Sequence, residues 1–276
     1  MICFPNAKIN IGLHITGKRP DGFHNIETVF YPVYFYDIVE VISSASQDKN
    51  DCNLFVSGLA VSGADANNLC IKAYGLLKKD FPQLPAVDIY LHKNIPIGAG
   101  LGGGSADGAF MLSVINEKFQ LNINENTLYQ YALQLGSDCP FFIKNKPCFA
   151  TGRGEQLETI DINLKGYYLF IANPGIHVNT ATAFSKIKPL VPEKSIKEII
   201  KTPVEEWKNF LMNDFEKTVF AAYPVLNNIK QKMYDAGAVY TSMTGTGSTV
   251  YGLFKNKTAC PQNIFSEEYF VKEILL

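Results

Sequence analysis

Pro96-Ile97-Gly98-Ala99-Gly100-Leu101-Gly102-Gly103-Gly104-Ser105-Ala106 is the stretch on which the reading of this chain turns, because five of its residues are glycine and a helical pattern begins where it ends. Without side chains in the way, successive backbone N–H groups can converge on an anion, and a helix N-terminus adds roughly half a positive charge. The stretch therefore reads as a phosphate cradle. Behind it, Ser105 to Lys118 is predicted to be a helix, with Ala109, Leu112 and Ile115 on one stripe. In front of it, Val87 to His92 reads as a strand, separated from the glycines by Lys93-Asn94-Ile95-Pro96. Gly98, Gly100 and Gly103 satisfy the short dinucleotide pattern G-x-G-x-x-G, but that spacer and the lack of a second βαβ unit argue against it. The V-A-I-K and H-R-D companions of a protein kinase are missing, and Ser105 stands where a P-loop needs lysine. A glycine-rich hinge is the plain alternative, disfavoured by the helix that follows.

Working outward, Ile9, Ile11, Leu13 and Ile15 alternate with Lys8, Asn10, Gly12, His14 and Thr16, the period of a half-buried strand that puts Lys8 and Asn10 on one face. Pro20, Asp21 and Gly22 mark a turn, and Glu27 to Ser43 reads as one or two strands. Asn67 or Asn68 is placed to cap a helix running to about Lys79. A further helix is expected over Glu125 to Leu135, with Gly136 as its left-handed stop. A domain boundary is expected near 150, giving domains 1–150 and 151–276. Beyond it come a strand at Tyr167 to Ala172 and a largely helical stretch from Asn179 to Asp235, interrupted by Pro189, Pro192, Pro203 and Pro224. Strands are expected around Ala238 to Ser242 and Thr249 to Phe254, and a short helix between Lys257 and Glu267, weakened by Pro261. Strands and helices interleave without regular βα alternation, so the fold class is α+β in two domains.

Composition narrows the function. The 276 residues are 47% hydrophobic and 18% charged, with 25 Lys+Arg against 26 Asp+Glu, so no excess of positive charge exists to neutralise a nucleic acid backbone. No run reaches the ~20 apolar residues of a membrane span, and Met1 to Thr16 lacks the unbroken apolar run of a signal peptide. The six cysteines are dispersed, as Cys3, Cys52, Cys70, Cys139, Cys148 and Cys260, with no C-x-x-C pair, which points to reduced thiols in a cytoplasm. His14, His92 and His177 show no metal-ligand spacing and read as structural.

At its full length the glycine string, P-x-G-x-G-L-G-G-G-S-A, resembles the ATP-binding motif of the GHMP kinases, named for galactokinase, homoserine, mevalonate and phosphomevalonate kinases. Pro5-Asn6-Ala7-Lys8-Ile9-Asn10-Ile11-Gly12-Leu13 and Met243-Thr244-Gly245-Thr246-Gly247-Ser248-Thr249 are similar to that family's first and last motifs, in the family's order. The resemblance implies an N-terminal ATP domain and a C-terminal domain meeting over the active site, with Pro96, Gly98, Gly100, Leu101, Gly102, Gly103, Gly104, Ser105 and Ala106 receiving ATP. Four more stretches resemble the branch of the family whose acceptor is 4-diphosphocytidyl-2-C-methyl-D-erythritol, an intermediate of isoprenoid precursor synthesis. They are Arg19-Pro20-Asp21-Gly22-Phe23-His24, Leu135-Gly136-Ser137-Asp138-Cys139-Pro140-Phe141-Phe142, Gly152-Arg153-Gly154-Glu155, and Asn173 to Thr180 followed by Phe184. A mevalonate or homoserine kinase would share the cradle but not the acceptor stretches.

Phosphoryl transfer to an alcohol needs a proton acceptor, positive charge beside the transferring group and a metal ion on ATP. The resemblance assigns Asp138 the base, the alternative being an N-cap for the segment after Cys139. It places Lys8 beside Asp138, where an ammonium would keep the carboxylate ionised and steady the phosphoryl group; for an arbitrary strand lysine, solvent is the default. Asn10 would hydrogen-bond the substrate. Ser105 is placed either to meet a phosphate or Mg²⁺ or simply to cap its helix. Gly245 to Ser248 would brace the site, or form an ordinary hairpin. Thr180 belongs to the acceptor segment; Phe23 and Phe184 would lie against the faces of a cytosine and His24 at its edge. Mg²⁺ is expected to arrive with ATP, no carboxylate cage being visible. A non-catalytic nucleotide-binding module would have lost Asp138 and Lys8, and both are present.

Overall fold

Alternating runs of the chain form strands and 3.6-periodic runs form helices. The computed structural model describes residues 1–44, 52–59, 67–257 and 264–276. Among them the strands are β1 (Ile2–Cys3), β2 (Asn6–Lys18), β3 (His24–Tyr36), β4 (Ile38–Ser43), β5 (Cys52–Gly58), β6 (Val87–Lys93), β7 (Cys148–Thr151), β8 (Gln156–Thr159), β9 (Tyr168–Asn173), β10 (Tyr240–Met243), β11 (Val250–Phe254) and β12 (Phe270–Leu275). The helices are α1 (Leu69–Asp80), α2 (Gly103–Lys118), α3 (Glu125–Leu135), α4 (Cys139–Lys144), α5 (Thr180–Ser185), α6 (Ile196–Ile199), α7 (Phe215–Ala222) and α8 (Pro224–Asp235), with a 3₁₀ turn at Val204–Asn209. Cys260 and Pro261 lie outside the described residues, and the helix expected there falls partly with them.

The first of two units comprises Met1–Ala7, Phe35–Ile97 and Gly102–Lys146. Its sheet runs β1-β4-β6-β5. β4 and β6 are antiparallel, whereas β5 and β6 are parallel, so the chain needs a crossover between them, and α1 supplies it. Asn68 is the residue that caps α1, accepting from the Cys70 N–H at 2.9 Å. α1 packs on α2, which packs in turn on α3 and α4. Two expectations fail here. Helix α2 starts at Gly103, two residues early, behind Gly102 in the left-handed region at φ 72. Gly136 ends α3 in extended backbone at φ 170, not left-handed, because the chain runs straight on into the turn before α4.

The second unit comprises Lys8–Tyr34, Gly98–Leu101 and Pro147–Leu276. One sheet runs β2-β3-β7-β8 and another β10-β11-β9-β12, with α7 on α8 and α8 against β10 and β11. These two units do not divide at a single point along the chain. Lys8–Tyr34 groups with residues beyond Pro147 because β3 pairs with β7, Thr28 opposite Ala150 and Phe30 opposite Cys148. The helical stretch is broken into short pieces as its prolines require, and Pro224 opens α8, where its missing N–H costs nothing. Strand β12, which lies outside the strands expected from the sequence, pairs antiparallel with β9. The half-buried reading of β2 also fails, since Asn6 through Ile15 are buried. Leu13 and Ile15 enter an apolar core with Phe170, Phe215, Leu226 and Val250, while Lys8 and Asn10 earlier in the strand find buried partners. No helix among the described residues is long and apolar enough to cross a membrane.

The first unit encloses Lys93 with Asp37 and Asp107. Burial disfavours the ammonium, but the two carboxylates outweigh it and its pKa is raised. Burial, with Asp37 adding to it against the pull of Lys93, pushes the Asp107 carboxyl up to about 7. Between about pH 4 and about pH 7 the folded chain thus keeps a proton that the unfolded chain, with an ordinary Asp near ~3.9, has released. Stability from this group is greatest on the acid side and is lost as pH rises through that window. Asp107→Asn should therefore flatten the fall of the melting temperature between pH 5 and pH 7, as followed by calorimetry; a slope identical to the wild type would remove Asp107 as its source.

Candidate active site

The glycine stretch is held differently in its two halves. In the second unit, Gly98 and Gly100 adopt φ of 65 and 80, which side-chain-bearing residues rarely do. A Cβ on Gly100 would stand 2.1 Å from the Thr244 carbonyl oxygen, so the strip lies against the turn between β10 and β11 with no room for a side chain. Three hydrogen bonds fix it: Lys8 N–H to the Leu101 carbonyl at 2.9 Å, Thr249 N–H to the Ala99 carbonyl at 3.3 Å, and Thr244 Oγ1 to the Gly100 carbonyl at 3.0 Å. The turn at Gly245 to Ser248 is a hairpin, Met243 opposite Val250, and it is also the surface on which this strip rests. His177 packs beside Gly98, its Nδ1 3.2 Å from where a Cβ would be.

Around the same turn Asn10 joins four residues. Its N–H donates to Thr244 Oγ1 at 3.0 Å, its carbonyl accepts from Tyr251 at 2.9 Å, its Nδ2 donates to Thr28 Oγ1 at 3.0 Å, and its Oδ1 accepts from Lys8 Nζ at 2.6 Å. Burial raises the Tyr251 phenol well above its ordinary pKa, so it remains a donor. Thr244 has one hydroxyl hydrogen, and the Gly100 carbonyl at 3.0 Å is better placed for it than Asn10 Oδ1 at 3.3 Å. Lys8 is 3% exposed and lies over the Phe30 ring at 4.9 Å, so the solvent default for a strand lysine does not hold.

In the first unit, Gly102, Gly103, Gly104, Ser105 and Ala106 form the cap and first turn of α2, closed by the Ala106 N–H to the Gly102 carbonyl at 2.9 Å. Ser105 is inside the helix, so the capping alternative is excluded. A Cβ on Gly103 would meet Ile95 at 2.9 Å, whereas one on Gly104 meets nothing within 4 Å. Gly103 is small for packing; Gly104 faces open space. Asp138 immediately precedes α4 and makes no side-chain capping hydrogen bond there. Burial, opposed by a hydrogen bond with Ser105, pushes the neighbouring Cys139 thiol up to about 12, which makes it packing and not a nucleophile.

The acceptor-side residues lie in the second unit. Phe23 is 51% exposed, and the Arg153 guanidinium lies 4.8 Å over its ring. Phe184 stacks on His24, with centroids 5.1 Å apart, and meets Phe215 edge-on at 4.8 Å. Burial, aided by the Lys18 charge, lowers the His24 pKa and favours the neutral ring. Thr180 opens α5, its hydroxyl 3.3 Å from that of Thr246 in the glycine turn. His24 is thus a stacking partner of Phe184 before it is an edge contact. His14 pairs with Asp214 at 3.1 Å and His92 with Ser57 at 3.0 Å. Among the described residues no cluster of His, Cys, Asp or Glu has the makings of a metal site.

Thr28, Thr244, Tyr251 and Asn213 escaped the sequence reading. Asn213 donates to the Met243 and Gly245 carbonyls at 2.7 and 2.8 Å, pinning the glycine turn from α7's leading edge. Their roles depend on pairings up to 241 positions apart along the chain, and only the position of Thr244 inside a glycine motif gave a local signal.

A model of the GHMP kinases N terminal domain matches residues 68–146, and one of the GHMP kinases C terminal domain matches residues 195–260. A Bacteroides fragilis protein named 4-diphosphocytidyl-2-C-methyl-D-erythritol kinase is 56% identical over 92% of this chain and 92% of its own length. One of the same name from Bacteroides thetaiotaomicron is 52% identical over 98% of both. A crystal structure of 4-(cytidine 5'-diphospho)-2C-methyl-D-erythritol kinase superposes with a TM-score of 0.78 at 28% identity, covering 92% of this chain and 90% of that one.

Thr244→Val keeps the shape of the side chain but leaves the Asn10 N–H and the Gly100 carbonyl without their partner. Burying unsatisfied groups of this kind costs about 1–3 kcal/mol, and a urea denaturation midpoint should fall accordingly. Thr180→Val, at an exposed hydroxyl, should leave it unchanged. Equal midpoints for Thr244→Val and wild type would show that the network carries no weight.

Proposed function

The chain belongs to the GHMP kinase family, and from that premise we propose that it transfers the γ-phosphoryl group of ATP to the 2-hydroxyl of 4-diphosphocytidyl-2-C-methyl-D-erythritol. What carries the reading is identity with kinases of that name along nearly the whole chain. The stacked His24–Phe184 pair supports it, being suited to a planar base.

In this reading the first-turn N–H groups of α2 and the open face at Gly104 receive the phosphates. Asp138 takes the hydroxyl proton as the acceptor oxygen bonds to phosphorus and the bond from phosphorus to the ADP oxygen breaks. The Lys8 ammonium, oriented by Asn10 Oδ1 at 2.6 Å, offsets charge on the transferring group. Mg²⁺ arriving with ATP would neutralise phosphate charge, with Ser105 in the first turn of α2 placed to meet it or a phosphate. Phe184 supplies a flat apolar face to the cytosine, and neutral His24 keeps a donor and an acceptor available for it. Asn10 acts on the substrate through Lys8 and the glycine turn, its Oδ1 accepting from Lys8 and its Nδ2 donating to Thr28.

A turnover assay with ATP and three acceptors, the cytidyl compound, mevalonate and homoserine, tests this directly. The wild type should use the first alone; turnover of mevalonate or homoserine at equal kcat/KM would move the chain to another branch of the family. Asp138→Asn should lower kcat by ~10²-fold or more with ATP affinity little changed. Phe184→Ala should raise the cytidyl KM by ~10-fold, as loss of one stacking contact implies, with the ATP KM within about twofold. A parallel loss of both affinities would make Phe184 a packing residue only.

A further inference from the structure

Two buried carboxylates and one buried ammonium meet in the first unit, and the chemistry above uses none of them. Lys93 donates to Asp37 and, at 2.6 Å, to Asp107 Oδ2. Lys93 and Asp107 are each 3% exposed and Asp37 is 0% exposed. With all three ionised the group would carry an excess negative charge, and Asp107 Oδ1 is buried without a hydrogen-bond partner. Stability alone is a weak reason for such a group, since even a paired buried bridge adds little over apolar packing.

The connections of the cluster point elsewhere. Asp37 Oδ1 accepts from the N–H groups of Asn94 at 2.6 Å and Ile95 at 2.9 Å, the two residues that lead into Pro96. Asp37 Oδ2 lies 3.4 Å from where a Cβ on Gly103 would be, at the first residue of α2, and Asp107 is on the next turn of that helix. One chain of charge-assisted hydrogen bonds therefore joins the residues that enter the glycine stretch to the helix that leaves it. Bonds in which a partner is ionised are shorter and stronger than neutral ones, which suits them to fixing a loop end. The other titratable neighbours, the thiols of Cys3 on β1 and Cys70 on α1, are held neutral by burial.

We propose that Asp107 is a positioning residue for the nucleotide: through Lys93 and Asp37 it holds the two ends of the glycine stretch in register, and with them the first-turn N–H groups of α2. The proposal rests on reading that stretch as the ATP site. It is tested by the KM for ATP, the KM for the cytidyl acceptor and kcat in the wild type, Asp107→Ala, Asp107→Asn and Lys93→Met. Asp107→Ala and Lys93→Met should raise the ATP KM by ~10-fold, the loss of one charge-assisted bond, with the acceptor KM within about twofold. Asp107→Asn still offers Lys93 an acceptor oxygen and should return the ATP KM to within about threefold of wild type. An ATP KM unchanged in Asp107→Ala, both KM values rising together, or no rescue by Asn would each overturn it. Should Lys93→Met not fold, the two Asp107 variants decide, because their removal of one carboxylate leaves Lys93 and Asp37 a balanced pair. Wild-type protein that turns over no ATP would instead defeat the reading of the site.

Discussion

The second unit depends on one buried polar residue, Asn10, whose main chain and side chain together engage Lys8, Thr28, Thr244 and Tyr251. A buried amide left unpaired costs as much as a well-made hydrogen bond gains, so these partners must assemble together. Once they do, the Thr244 turn, the Gly98–Leu101 strip and the Lys8 ammonium are fixed by the same contacts. Residues that bind phosphate need such a frame, because an N–H group aimed at an anion is useful only if folding has already oriented it.

Backbone and charge divide the work. Glycine is required at Gly100 because the Thr244 carbonyl occupies the place of a side chain, and at Gly103 because Ile95 does. Gly104 has no such obstacle: a Cβ there would meet nothing within 4 Å. Charge is handled by burial: Lys8 over Phe30 in one unit, Lys93 between two carboxylates in the other. Neither lysine follows the surface default of its residue type.

Much of this was legible in the sequence where a signal was local. A cap at Asn67 or Asn68, the bounds of α3, the start of β6 and the glycine motifs all follow from a few neighbouring residues. Strand β2 shows the limit. Its alternation of Lys8, Asn10 and His14 with isoleucines predicts one wet face, yet a face lined with buried polar partners produces the same pattern. Gly136 shows another: glycine at a helix end permits the left-handed form without compelling it, and the onward path of the chain chose the extended one. The grouping of Lys8–Tyr34 with residues beyond Pro147 depends on the β3–β7 pairing, which no local pattern encodes. Asp37, Lys93 and Asp107 read as ordinary charged residues, and only tertiary pairing reveals them as buried.

The most direct test of the account is the identity of the phosphorylated product. Phosphorus-31 NMR of a reaction containing the protein, ATP and 4-diphosphocytidyl-2-C-methyl-D-erythritol should show one new phosphomonoester resonance on the acceptor's 2-hydroxyl, with the cytidyl diphosphate intact and ADP formed in equal amount. Inorganic phosphate as the only new species, or an acceptor returned unchanged while ATP is consumed, would contradict it.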